Sequence, residues 1–87
     1  NLALKQAKQG YLQQAEICYL SAWEASARRL GGDHFITLRI LGSLAQARCS
    51  LGRVDEGWPI LQQVLAMQRN LLGPDHPDTL VTRHNLA

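Results

Sequence analysis

The sequence predicts an all-α protein, an α-solenoid of antiparallel helix pairs with about five helical segments. Three observations predict this fold: a repeat of 42 residues, apolar residues at helical spacing, and glycines at the segment ends. The repeat is clearest between residues 30–38 and 72–80. Its identical pairs are Leu30 and Leu72, Gly31 and Gly73, Asp33 and Asp75, His34 and His76, Thr37 and Thr79, and Leu38 and Leu80. A fixed period of this size is typical of stacked helical repeats, so the 87 residues are expected to form one array of about two units.

The segment boundaries follow from the apolar spacing and from the residues that stop helices. The predicted segments are a half helix over 1–9, helices over 11–30, 35–51 and 54–72, and a half helix over 77–87. Gly10, Gly31 and Gly52 are expected to end the helices before them, because glycine readily adopts the left-handed backbone of a helix C-terminus. Turns of a few residues then require neighbouring helices to pack antiparallel.

Each connector between units is expected to begin the next helix. Asp33 and Asp75 stand where a carboxylate accepts the free amide hydrogens of a first turn. Pro77 suits a first turn, because its missing amide hydrogen is not needed there. A helix stop followed by a helix cap explains these residue types, and ligand binding by the same stretch is the less favoured alternative.

The predicted core is an apolar stripe on each full helix. Its members are Leu12, Ala15, Tyr19, Ala22 and Trp23, then Leu38, Leu41, Leu44, Ala45 and Leu51, and finally Val54, Gly57, Leu61, Val64, Leu65 and Leu72. Trp58 lies off this stripe. We expect it either to pack against a neighbouring helix end or to be exposed as an interface residue.

Composition limits the classes of function. Hydrophobic residues make up 46% and charged residues 18%, which is typical of a globular protein. The net charge of +2 does not by itself indicate nucleic acid or a membrane surface. No apolar run approaches the roughly 20 residues of a membrane span, and no leader is evident, so a cytoplasmic protein is expected. Cys18 and Cys49 lack CxxC spacing and are expected to be reduced thiols.

No catalytic chemistry is expected from the residue pattern. The two Asp-His pairs lie one repeat apart, roughly 16–20 Å, whereas the ligands of one zinc lie within about 2.1 Å of it. The sequence therefore predicts neither a metal site nor a cofactor. No Ser/His/Asp or Cys/His arrangement is indicated either, so the protein is not expected to be an enzyme.

The chain resembles the tetratricopeptide repeat, in the 42-residue form found in kinesin light chains and in the sensor arrays of NTPase receptors. The resemblance rests on Leu44-Ala45, Leu86-Ala87 and residues 52–57, 59–61 and 72–80. The sequence departs from the family pattern at Gln6 and Arg48 (usually aromatic), Gly57 (usually alanine), Trp58 (usually charged) and Phe35-Ile36 (Pro-Asp in the second copy). The resemblance implies a right-handed superhelix in which the first helix of each unit lines a concave, non-catalytic groove.

The resemblance also implies which residues face that groove: Asn1, Leu4, Lys8, Arg39, Ser43, Gln46, Cys49, His84 and Asn85. Asn and Gln side chains hold an extended peptide backbone through paired donor and acceptor groups. The helices over 1–9, 37–51 and 79–87 contain basic residues and no Asp or Glu, namely Lys5, Lys8, Arg39, Arg48 and Arg83. This pattern favours an acidic protein or peptide as partner. The alternative is a solvated face without a ligand.

Three functions are compatible with this interpretation. The first is a non-catalytic interaction module that holds a peptide or protein segment in the groove. The second is a self-assembling solenoid whose copies associate head-to-tail, because residues 77–87 give the front half of a groove helix and residues 1–9 the back half. The third is a set of sensor repeats in a larger NTPase receptor.

Overall fold

The computed structural model describes the backbone of residues 2–86 and the side chains of residues 9–86. These residues form four helices, which are α1 (Leu2–Leu30), α2 (Phe35–Ser50), α3 (Val54–Leu71) and α4 (Pro77–Leu86). Helix α2 packs against both α1 and α3, while α4 packs on α3 and also meets α2. The all-helical prediction is confirmed for the described residues.

Helix α1 differs from the prediction, because one helix of 29 residues replaces the predicted half helix and second helix. Four helices are therefore present over residues 2–86, where about five segments were expected. Gly10 is inside α1 and does not take the left-handed backbone of a helix stop. A glycine within a helix costs only about 1 kcal/mol relative to alanine. Because neither a proline nor a capping Ser, Thr, Asp or Asn follows it directly, Gly10 alone does not end the helix.

The predicted stops at Gly31 and Gly52 lie where expected, and Gly73 has the same backbone after α3. Gly31, Gly52 and Gly73 follow the ends of α1, α2 and α3 with φ of 99°, 89° and 96°. Helices α2 and α3 each end one residue before the predicted boundary. The left-handed backbone at these three positions explains why glycine is needed there.

The two connectors between units have the same internal hydrogen bonds. The His34 amide donates to the Gly31 carbonyl over 3.3 Å, and the His76 amide donates to the Gly73 carbonyl over 3.4 Å. The first helical turns then close in the same way, with N···O distances of 2.9 Å to the His34 carbonyl and 3.0 Å to the His76 carbonyl. The two connectors thus repeat one backbone conformation at positions 42 residues apart.

Histidines, and not the predicted aspartates, cap the helices after the connectors. The Ile36 amide donates to His34 Nδ1 over 3.2 Å, and the Asp78 amide donates to His76 Nδ1 over 3.1 Å. The prediction that Asp33 and Asp75 cap these helices was wrong. Each aspartate stands one position too early, since the residue directly before the first helical residue is a histidine in both connectors.

The buried core is concentrated in α2 and α3, because α2 lies between two helices. Its apolar members are Leu38, Leu44, Ala45, Ala47, Leu61 and Val64. The predicted stripe on α1 is less buried: Tyr19 is 38% exposed, and Leu12, Ala15 and Trp23 are half-buried. The half helix predicted over 1–9 was expected to pack antiparallel beside the helix over 11–30. Residues 2–9 instead continue along the axis of α1, so they do not lie beside it.

Buried polar contacts join the units. Ser26 Oγ of α1 lies 2.7 Å from Thr37 Oγ1 of α2. At the other junction, Thr82 Oγ1 of α4 donates to Gln68 Oε1 of α3 over 2.5 Å. Thr79 Oγ1 is buried, and no group among the described residues forms a hydrogen bond with it.

Three negative observations apply to the described residues. None of the four helices combines the length and hydrophobicity needed to span a bilayer. Nowhere between residues 9 and 86 do three His, Cys, Asp or Glu side chains lie close enough together to hold a metal ion. Cys18 is exposed and Cys49 half-buried, and both are free thiols.

Candidate functional site

A cavity of about 380 Å³ opens between α1, α2 and α4. Its walls are Tyr11, Leu12, Ala15 and Tyr19 of α1, Leu38, Arg39, Gly42, Ser43, Gln46, Ala47 and Ser50 of α2, Gln68 of α3, and Asp78, Val81, Thr82 and Asn85 of α4. The α1 wall is largely apolar, and most polar groups come from α2 and α4. This volume is within the range of ordinary ligand pockets.

Helical spacing places the polar residues of α2 on one side of the cavity. Arg39, Ser43, Gln46 and Ser50 follow one another at steps of three or four residues, so they share one face of the helix. Ser43 Oγ donates to the Arg39 carbonyl over 3.2 Å. Gln46 Oε1 is buried, and residues 9–86 offer it no hydrogen-bond donor. Its acceptor is therefore unsatisfied within the described part of the chain.

An ion pair joins the α2 and α4 sides of the cavity. Arg39 Nε lies 3.7 Å from Asp78 Oδ1, and the Arg39 side chain is 63% exposed. This separation is long for a charge-assisted hydrogen bond. An exposed pair of this kind contributes about 0–1 kcal/mol, so Asp78 holds Arg39 only weakly.

A second ionic cluster turns Arg48 away from the cavity. Arg48 Nε donates to Glu16 Oε2 over 2.9 Å, and Arg53 donates to the other carboxylate oxygen. The hydrogen bond from Arg53 is the main cause of the lowered pKa of Glu16, and the bond from Arg48 adds to it against the opposing effect of burial. The cluster links α1 to α2 and to the turn before α3. Arg48 is therefore engaged with α1 and does not line the cavity.

The structure separates the nine predicted groove residues into three groups. Those lining the cavity are Arg39, Ser43, Gln46 and Asn85. Those placed elsewhere are His84, exposed on α4, and Cys49, which faces Gly57 of α3 and whose thiol pKa is raised by burial. Asn1 is outside the described residues, as are the side chains of Leu4 and Lys8.

Sequence reasoning missed two parts of the cavity. On α1, Leu12, Ala15 and Tyr19 were assigned to the core, because their spacing places them on one apolar face of the helix. On α4, Asp78 and Val81 were not named as groove residues. Asp78, Val81 and Asn85 follow one another at steps of three and four residues, so they share one face of α4. A helical projection of α4 starting from Asn85 would have identified both.

Comparison with protein-family models gives independent information about the repeat. The model described as the tetratricopeptide repeat matches residues 40–87, which is more than half of the chain. The chain belongs to the tetratricopeptide repeat family. Tetratricopeptide repeats generally mediate protein–protein interactions and are typically non-catalytic. Searches of curated proteins and of solved structures returned no match.

The tetratricopeptide repeat match covers most of α2, all of α3 and the described length of α4. It includes three of the cavity residues named from the sequence, Ser43, Gln46 and Asn85, and begins directly after Arg39. The apolar wall of α1 lies outside the matched residues. The polar side of the cavity thus belongs almost entirely to the recognised repeat.

Proposed function

We propose that this chain is a non-catalytic interaction module that holds a peptide or a segment of a partner protein in the cavity between α1, α2 and α4. The observation that supports this function is the convergence of polar groups from two helices on a cavity with an apolar third wall. Pockets that bind peptides and small ligands combine these features. The family assignment supports the same class of function.

The partner's backbone is expected to pair with the amide side chains in the cavity. Gln46 and Asn85 each carry a donor and an acceptor, which is the complement of a peptide bond. Gln46 Oε1 is buried without a donor among the described side chains. An acceptor in this state costs about 1–3 kcal/mol. If the Gln46 side chain turns toward the cavity, a peptide N–H can remove that cost, which favours binding.

The partner is expected to carry an acidic side chain at one position. Arg39 is largely exposed and only weakly held by Asp78 at 3.7 Å, so a partner carboxylate can replace Asp78. Arg48 is already engaged by Glu16 and does not add to this attraction. The acidic preference therefore depends on the part of the peptide that lies over Arg39.

Apolar side chains are expected next to this acidic position. Tyr11 is 74% exposed and Tyr19 38% exposed on the α1 wall of the cavity. Tyrosine is enriched in interfaces because it buries a large area with few rotatable bonds. The proposed partner segment therefore combines one carboxylate with apolar residues that pack on α1.

We further propose that the chain belongs to the 42-residue class of the family that occurs in kinesin light chains and in sensor arrays of NTPase receptors. The matching hydrogen bonds of the two connectors, at Gly31 with His34 and at Gly73 with His76, support a uniform 42-residue unit. An NTPase domain in the same polypeptide would favour the sensor setting.

Peptide titration tests the proposed binding site. Two short peptides of equal length are used, one alternating Leu and Glu and the other alternating Leu and Lys. With isotope-labelled protein, we expect the Leu-Glu peptide to shift the amide signals of Ser43, Gln46 and Asn85. Arg39→Glu should weaken this binding at least about tenfold, because the replaced charge repels the peptide.

The matched control is Arg69→Glu, which makes the same charge change at an exposed position of α3 outside the cavity. It should leave the affinity unchanged. Equal binding of the two peptides, or shifts confined to residues outside the cavity, would contradict the proposal.

A further inference from the structure

We propose that Asp78 is a second specificity-determining residue of the cavity, and that it selects a partner segment with a basic side chain close to its carboxylate. This role rests on the proposed function, because it concerns the same cavity and the same partner. When the partner's carboxylate binds Arg39, the partner's basic group binds the Asp78 carboxylate. The ion pair between α2 and α4 is thus exchanged for two ion pairs with the partner.

The charges in the cavity wall cancel each other before a partner binds. Among the described residues that line the cavity, charged side chains occur only at Arg39 and Asp78, one positive and one negative. A partner that brings a single carboxylate places two carboxylates beside one guanidinium, and like charges at short range repel each other. A partner that brings a carboxylate and a basic group keeps the site neutral.

The two members of the ion pair differ in their access to water. The Arg39 side chain is 63% exposed, whereas the Asp78 side chain is only 17% exposed. Water can therefore solvate Arg39 well but Asp78 poorly. A carboxylate with little access to water is destabilising when it has no partner. The loss of Arg39 to a partner carboxylate therefore favours a replacement cation at Asp78.

The backbone contacts of Asp78 keep its carboxylate at the cavity wall. The Asp78 amide donates to His76 Nδ1 over 3.1 Å, and the Asp78 carbonyl oxygen lies 3.2 Å from the buried Thr82 Oγ1. An aspartate side chain is short, so its carboxylate cannot follow the long Arg39 side chain toward a partner. The carboxylate stays where a basic group of the partner can reach it.

An extended peptide can present both charges to this pair. Alternate side chains of an extended chain point to the same face and are about 7 Å apart. A carboxylate and a basic group two positions apart therefore face α2 and α4 together, and their flexible side chains can converge on Arg39 and Asp78. The residue between them points the other way, toward the apolar wall of α1. The partner pattern is thus acidic, apolar and basic at successive positions.

Two peptides of equal length test this role. Both have Leu at alternate positions and one central Glu, and two positions to each side of the Glu one peptide has Lys and the other Gln. Calorimetry at low salt gives the affinities, and the amide signals of Ser43, Gln46 and Asn85 show whether each peptide binds in the cavity. We expect the Lys peptide to bind at least about tenfold more tightly than the Gln peptide. High salt should reduce this preference.

Asp78→Asn separates recognition of the peptide from support of the helix. Asp78 lies in the first turn of α4, where the helix dipole favours a carboxylate with or without a partner. If Asp78 recognises the peptide, the variant should weaken binding of the Lys peptide and strengthen binding of the Gln peptide, each at least about threefold. A purely structural defect would lower both affinities.

The matched control is Asp75→Asn, which makes the same change at an exposed connector position outside the cavity. It should leave both affinities unchanged.

Three results would overturn the role of Asp78. They are equal affinities of the two peptides for the unchanged protein, a Lys preference that survives Asp78→Asn, and a loss of affinity for both peptides in that variant. Each of them is compatible with peptides that still shift the cavity signals and still depend on Arg39, so the proposed function can hold when this role fails. If no peptide shifts the cavity signals, both fail.

Discussion

The two junctions between units have the same backbone but different buried polar contacts. Under the 42-residue shift, Ser26 corresponds to Gln68 and Thr37 to Thr79. In the junction of α1 with α2, Ser26 and Thr37 pair directly at 2.7 Å. In the junction of α3 with α4, the longer Gln68 instead accepts a hydrogen bond from Thr82, almost one helical turn further along α4. The described residues then leave Thr79 Oγ1 without a partner.

This difference shows that the path of the connector and the polar contact between helices depend on different residues. The path of the connector depends on a left-handed glycine and a capping histidine, which both copies retain. The polar contact between helices depends on the length of one side chain, which the copies do not share. A stacking unit can therefore keep its geometry while its buried hydrogen bonds change partners.

The largest effect is expected from Gly57→Ala. This change gives α3 the residue that α1 has at the equivalent position, Ala15. A Cβ at Gly57 would lie 2.5 Å from both the Ala45 carbonyl oxygen and Cys49 Sγ, and the backbone atom cannot move aside easily. Overpacking costs about 1–3 kcal/mol. We expect a net loss of about 2 kcal/mol in the free energy of unfolding, measured by urea denaturation.

The control for this variant is Gly42→Ala in the same helix pair. A Cβ at Gly42 would lie 3.9 Å from Val64, an ordinary contact. The control should gain up to about 1 kcal/mol from helix propensity. Equal effects of the two variants would show that α2 and α3 are not as closely packed at Gly57 as described.

The second-largest effect is expected from replacing the equivalent threonines, Thr37 and Thr79, which compares the two junctions directly. Thr37→Val removes the partner of the buried Ser26 hydroxyl and should destabilise the protein by about 1–2 kcal/mol. Thr79→Val removes a buried hydroxyl to which no described residue is bonded, so it should be neutral or stabilising by up to about 1 kcal/mol. Thermal and urea unfolding of both variants measure this. Similar losses for the two would contradict the difference between the junctions.

The third effect concerns the capping histidine, which both junctions contain. His34→Ala and His76→Ala each remove a helix cap and should each cost about 1 kcal/mol. The His34 ring also stacks on Phe35, with centroids 4.7 Å apart, so its loss should be the larger. Unfolding measured by circular dichroism gives both values. Phe35→Ala reports the stacking contribution alone, and a His76→Ala variant as stable as the unchanged protein would rule out the cap.

The smallest effect concerns Glu16, whose equivalent in the second unit, Trp58, cannot titrate. Arg53 and then Arg48 lower the pKa of Glu16 in the folded state, so its pairing stabilises the protein above the ordinary glutamate pKa of about 4.3. This contribution is lost as the pH falls through the lower pKa of the folded state. The unchanged protein should exceed Glu16→Gln in stability by less than about 1 kcal/mol at neutral pH. The difference should diminish below about pH 4.3, and a difference independent of pH would contradict this.

Much of the fold followed from the sequence, because its strongest signals are local. The glycines after α1 and α2 take the left-handed backbone that the sequence predicted, and these helices end beside them. Gly10 has the same residue type but lies inside α1. A single glycine is too weak to end a helix when no capping residue or proline follows, so its effect depends on neighbours that residue type alone does not reveal.

The candidate site was predicted only in part, because it depends on which helices lie side by side. Arg39, Ser43, Gln46 and Asn85 were named from the resemblance to the tetratricopeptide repeat, and they line the cavity. Tyr11 was not found, since its position depends on the straight course of α1. The charge on Arg48 was also counted toward the groove, although Glu16, which is 32 residues earlier, turns it toward α1. Such contacts between distant residues leave no local pattern in a sequence.

The near-identical connectors have a consequence for how the length of this protein can change. A recombination event that joins the chain after Gly31 directly to the residue after Gly73 removes 42 residues, yet the new connector keeps its glycine and its histidine. It also places Ser26 opposite Thr79, which restores the hydroxyl pair of the first junction. The reverse event inserts one unit by the same rule. Genetic gain or loss of a whole unit therefore needs no new helix boundary.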